Sequence, residues 1–152
     1  MIMQNQSSET YEQAVMSFIN EITELGYVKP DTIMGCDDRE IQEIMSAQNV
    51  TRLPKIYDFF LRKLGKKAGN FSIGDEFQHL SLLYLKKFLI TELEMTPDVT
   101  FQLPEQAFVF WMHDGYKFMY FVLDENNDED DPRVFYWDDG MQQPEEDFPF
   151  FF

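Results

Sequence analysis

Asp124, Asn126, Asp128 and Asp130 recur at every second position, the way a calcium loop begins, with alternating oxygens folding around a hard cation. The imitation ends there. Counting from Asp124, the sixth position, where the sharp turn calls for glycine, is Glu129, and the twelfth, where a bidentate glutamate closes the shell, is Phe135. With Pro132 inside the run and no helical pattern on either side, the spacing predicts no metal site but a solvated connection between two strands. Other chemistry is equally thin. The chain holds no HExxH, CxxC, Walker loop, GxGxxG or GxSxG. His79 falls in a leucine-rich stretch and is expected to be a structural or surface residue, while His113 beside Asp114 could orient a base but is explained by hairpin chemistry. Cys36 precedes Asp37 and Asp38, whose charges raise a thiol pKa, and the thiolate is the nucleophile. Glu92 with Glu94, and Asp138 with Asp139, sit side by side in polar segments, whereas a glycosidase holds two acids apart across a cleft. No catalytic residue, no metal and no cofactor is expected, and the protein reads as a non-enzyme.

The elements that must carry these residues follow from composition and period. A chain of 152 residues with 44% hydrophobic and 16% aromatic residues suits one domain with a sizeable core. Its single cysteine fits a reducing compartment, and the start MIMQNQSSETYEQ lacks the basic and apolar run of an export signal. A cytoplasmic location is therefore expected. The sequons at Asn49 and Asn70 are then coincidental, and no apolar stretch is long enough to span a bilayer. The formal charge of -16 is unevenly spread: residues 52–67 hold six bases and one acid, while residues 124–152 hold eleven acids and one base, Arg133. That balance argues against nucleic acid as a direct partner and favours a basic protein.

Tyr11, Val15, Phe18, Ile19, Ile22 and Leu25 predict a first helix, with Thr10 and Gln13 as a capping box and Gly26 as its stop. Asp37 or Asp38 can cap a second helix with Ile41, Ile44 and Met45 inward. Leu53-Pro54 opens a third, with Ile56, Tyr57, Phe60, Leu61 and Leu64 inward and its bases toward the C-terminal end. A fourth is expected from Glu76 to about Glu94. After Pro97 the pattern changes to aromatic and β-branched runs: strands over 108–112 and 116–123 joined at His113-Asp114-Gly115, then a third strand over 134–137. Trp111 and Trp137 lie in these runs and are expected in the core. Helices first and strands later predict an α+β single domain, an antiparallel or mixed twisted sheet flanked by helices.

Residues 103–140, LPEQAFVFWMHDGYKFMYFVLDENNDEDDPRVFYWDDG, resemble the C-terminal half of the SUKH superfamily of Smi/Knr-like proteins. The preceding stretch resembles its first half, with Leu53, Pro54, Tyr57, Phe60, Leu61 and Gly69 at the matching positions. The resemblance covers roughly residues 35 to 140. It implies an α+β fold and, for most bacterial members, service as immunity proteins that bind and neutralise polymorphic toxins, often nucleases; fungal members are intracellular regulators or scaffolds. Two departures stand out. GKKAGNF replaces the Gly-Gly that often follows the Phe-Leu helix, and the chain stops at DFPFFF where relatives tend to continue into a final helix, so the domain is expected to be cut short there. In this light the acids from Asp124 to Asp131 are read as a charged lure for a basic toxin domain. The candidate partner-binding residues are Asp124, Glu125, Asp128, Glu129, Asp130, Asp131, Asp138 and Asp139. The alternative reading is a regulatory scaffold of the cell-wall-assembly type that binds through its basic third helix.

Overall fold

Helical spacing of Val15, Ile19 and Ile22 buries one stripe of α1 (Ile2–Glu24), and the helix stops just before Gly26, which takes a φ of 83°. The computed structural model describes residues 2–124 and 130–149, with side chains at 9–124 and 130–146. Because α1 begins at Ile2, Thr10 is an interior residue and not the predicted cap. Once a turn is nucleated, extending a helix costs little, so the cap-like residues did not set its start. A 3-10 turn over Pro30–Thr32 leads into β1 (Ile33–Met34). In α2 (Asp38–Ala47) the cap is Asp37, whose carboxylate accepts the Glu40 N–H at 2.8 Å while Glu40 Oε1 accepts the Asp37 N–H at 3.1 Å. The two orphan donors at the helix start are thus satisfied reciprocally.

Pro54, at φ -57°, precedes α3 (Lys55–Leu64), which buries the five predicted residues Ile56, Tyr57, Phe60, Leu61 and Leu64. Then β2 (Lys67–Ala68) returns antiparallel to β1. Gly35 lets this small sheet press on α3, because a Cβ there would overlap the Arg62 carbonyl. The fourth helix expected from Glu76 to Glu94 is three elements instead: β3 (Asp75–Glu76), α4 (His79–Leu82) and α5 (Leu85–Met95). Its carbonyls are taken elsewhere. Gln48 Nε2 donates to Leu82 O at 3.0 Å, and in a continuous helix that oxygen would accept from Lys86. Glu76 meanwhile pairs with Met112 of the sheet.

The last four strands are β4 (Ala107–His113), β5 (Lys117–Val122), β6 (Arg133–Asp138) and β7 (Glu145–Pro149). With β3 they form one antiparallel sheet in the order β3-β4-β5-β6-β7. The three predicted strands are its centre; both edges lay outside the prediction. The β4–β5 turn matches its sequence signal, with Asp114 at φ 51°, Gly115 at φ 78° and the Tyr116 N–H donating to His113 O at 3.2 Å.

Register and ring contacts assign the two faces of the sheet, since paired residues share a face. Tyr57 of α3 meets Phe108 at 5.2 Å and Phe121 at 5.3 Å, so α3 covers one face, with α1 behind it through Phe18 and Phe60 at 6.5 Å. Phe88 of α5 meets Phe118 at 6.0 Å, which in turn meets Trp137 at 6.0 Å on the opposite face. The molecule is α+β, with helices on both faces of an antiparallel sheet. Each fully buried aromatic here contributes about 2 kcal/mol. No helix among the described residues is long and apolar enough to cross a membrane.

Candidate interaction surface

Of the eight candidate acids, Glu125, Asp128 and Glu129 lie outside the described residues. Asp124, Asp130 and Asp131 are half-buried at the two ends of the β5–β6 connection. Asp130 ties that connection to α3: its carboxylate lies 3.7 Å from Lys55 Nζ, and its carbonyl accepts the Ile56 N–H at 3.3 Å. Asp138 and Asp139 sit at the far end of β6, a strand that spans about 17 Å. The structure therefore divides the five described acids between two poles. At the second pole Asp138 accepts the Tyr136 hydroxyl at 3.0 Å and the Gly140 N–H at 2.9 Å, while Asp139 is exposed. Burial first, then the Asp138 carboxylate, with Tyr116 and Glu145 adding, push the Tyr136 phenol up to about 12.

The basic segment is folded against carboxylates. Arg62 reaches Asp38 at 2.6 Å and Asp58 at 3.0 Å, Lys66 reaches Glu40 at 2.9 Å, and Lys55 reaches Asp130. Three of the six bases that read in the sequence as a positive patch are thus paired with carboxylates of α2, of α3 itself and of the connection ahead of β6. Periodicity could not reveal this, because the pairing depends on how α2 and α3 meet.

A strand irregularity shapes the surface that sequence reasoning missed. The register of β4 against β5 shifts between Val109 and Trp111, so Phe110 is an extra residue, and its ring meets Tyr57 at 6.2 Å and Phe121 at 5.4 Å. Trp111 pairs with Met119, on the same face as Phe121. A bulge re-aims side chains in this way, and it sets two consecutive aromatics on the α3 side. Together with Phe18, Phe60, Phe71 and Phe77 they line a groove of ≈ 320 Å³, the lower end of what a small ligand needs, about 300 Å³. Trp137 is core as expected; Trp111 is half-exposed at the groove.

Beside the groove, Asp75 gathers three donors. Burial alone would raise its carboxyl, but hydrogen bonds from Ser72, His113 and Trp111 outweigh it and hold the group below its ordinary range. His113 is bracketed, with Nδ1 at 2.6 Å from Asp75 Oδ1 and Nε2 at 3.1 Å from Asp114 Oδ2. Ser72 donates its hydroxyl to Asp75 and not to the imidazole. A nucleophile needs a base within hydrogen-bond reach, and in this arrangement both imidazole nitrogens face carboxylates. His79 is buried between Glu40 and Glu43, at 3.4 and 3.1 Å. Among the described residues no group of three or more His, Cys, Asp or Glu is placed to hold a metal.

A family model described as SMI1 / KNR4 family (SUKH-1) matches residues 35–151. No curated protein and no solved structure matches the chain.

Proposed function

The chain belongs to the SMI1/KNR4 (SUKH-1) family, and from that premise we propose that it is a non-catalytic binding protein, an immunity protein that neutralises a cognate polymorphic toxin by direct contact. Family members commonly serve in that role. The observation on the molecule that supports it is that Arg62, Lys66 and Lys55 of the one basic segment are each paired with a carboxylate, in a chain of charge -16 whose surface is net negative. Such a surface attracts a basic domain and speeds encounter with it. Neutralisation by occlusion needs no chemistry, in keeping with the bracketed imidazole of His113. The alternative, a regulatory scaffold that binds through the basic third helix, has less support, because Arg62, Lys66 and Lys55 are already engaged.

The test is co-expression of the full chain with the toxin domain encoded beside its gene. Growth should be rescued, the two proteins should purify as a stoichiometric complex, and sub-stoichiometric amounts should fail to protect. Absence of both rescue and complex would remove the immunity reading.

A further inference from the structure

We propose that the open upper half of the α3-side sheet face docks a protein segment carrying an apolar or aromatic anchor beside an arginine or lysine. This names the partner chemistry of the binding function above and rests on that reading. Helix α3 covers only the lower part of the face, where Phe108 and Phe121 are fully buried and Val134 is nearly so. Above it, Trp111, Met119 and Tyr136 share the face by register and Phe110 by its ring contacts with Tyr57 and Phe121, and all four remain half-exposed. Half-exposed aromatics grouped on one face suit a contact surface more than a core. The groove beside Phe110 and Trp111 has room for one large side chain and is rimmed by aromatic rings.

Charge completes the description of the occupant. Carboxylates border this face: Asp75 on β3 and Asp114 in the β4–β5 turn, both against His113, and Asp138 on β6 and Glu145 on β7, with Glu145 paired to Tyr136. On the sheet itself the matching cation is Lys117, which is set over the Tyr116 ring at 5.4 Å and is opposite Asp138 in register. The Tyr136 hydroxyl donates to Asp138 at 3.0 Å and so holds that carboxylate at the rim of the half-exposed aromatics. An anchor in the groove would bring a neighbouring basic side chain to these carboxylates, and a nucleic acid or acidic peptide would be repelled from them.

The experiment pans a random peptide library displayed on phage against the full chain. Selected peptides should place a large apolar residue within two positions of Arg or Lys, and their binding should change Trp111 fluorescence. Asp138→Asn with Glu145→Gln should weaken such a peptide about three- to tenfold at low salt, and less at high salt. Trp111→Ala should abolish binding and Trp111→Phe should retain it, with thermal unfolding showing that both variants fold. Glu92→Gln with Glu94→Gln, on α5 across the sheet, should leave binding unchanged. Peptides selected without basic residues, or equal affinity for wild type and the Asp138/Glu145 variant, would overturn the proposal. A toxin that binds both face variants as tightly as wild type would keep the immunity reading and remove this surface from it. Peptide docking here by a chain that protects against no toxin would do the reverse.

Discussion

At the scale of single residues, environment decides between chemistry and structure. Burial first, then the charge of Glu40, push the Cys36 thiol up to about 12, with Asp37 adding less. Asp37 acts in the expected direction but matters less than the core that encloses the sulfur. Thiol reagents need the thiolate, so Cys36 should resist Ellman's reagent in the folded chain and react at the rate of an ordinary cysteine in urea. Rapid labelling of the native protein would contradict its burial. Glu40 gives a pH dependence of definite sign. Its hydrogen bond with the Asp37 backbone, then Lys66, hold its carboxyl below the ordinary value of 4.5. With the folded pKa depressed, the stabilisation is fully present above 4.5 and is lost as pH falls through the folded value. The urea midpoint should therefore drop on acidification below 4.5, and Glu40→Gln should flatten that part of the profile while lowering the midpoint at neutral pH.

At the scale of elements, Gln48 does what no local pattern foretells. It is fully buried at the end of α2, and its side chain takes the Val109 N–H at 2.8 Å and donates to Val109 O at 2.7 Å and to Leu82 O. It thus stands in for a strand neighbour where β3 does not reach along β4, and it parts α4 from α5. Lys86, buried beneath, donates to Gln48 O and Glu105 O at 2.6 Å each. Gln48→Leu keeps the bulk and strands three buried backbone groups, so it should cost about 3 kcal/mol, read as a lower urea midpoint at unchanged slope. A loss within about 0.5 kcal/mol would mean that water replaces the amide. The same element shows where the sequence was legible. The α3 stripe, the Asp114-Gly115 turn and the three central strands are specified by neighbours in the chain. The break at Leu83-Tyr84 is imposed by a glutamine 34 residues earlier than Leu82, and β7, with three acids and Pro149 in five residues, carries no strand signature because an edge strand tolerates both. The candidate surface was half legible: the acids stand out in the sequence, but their division between the two ends of β6, and the bulge that pairs Phe110 with Trp111, depend on register.

At the scale of the whole molecule, charge opposes folding and favours solubility and encounter. The ion pairs are mostly exposed, as with Arg39–Glu43 and Arg133–Glu146, and each such pair is worth about 0–1 kcal/mol. Against these stand 28 acids and 12 bases, a formal charge of -16, and drawing the excess acids onto a compact surface raises their mutual repulsion. Salt weakens both terms, and the excess decides which loss matters. Sodium chloride raised from about 10 mM to about 1 M shortens the screening length from about 30 Å to about 3 Å, which removes long-range repulsion more completely than contacts between touching groups. The urea midpoint should rise across that range. Because the acids form two poles, relieving one should recover part of the gain: Asp138→Asn with Asp139→Asn should raise the low-salt midpoint and reduce its dependence on sodium chloride. A midpoint that falls with salt would show that the local pairs of α2 with α3 outweigh the net charge. The pairing of Arg62 and Lys66 would then be the main electrostatic support of the fold.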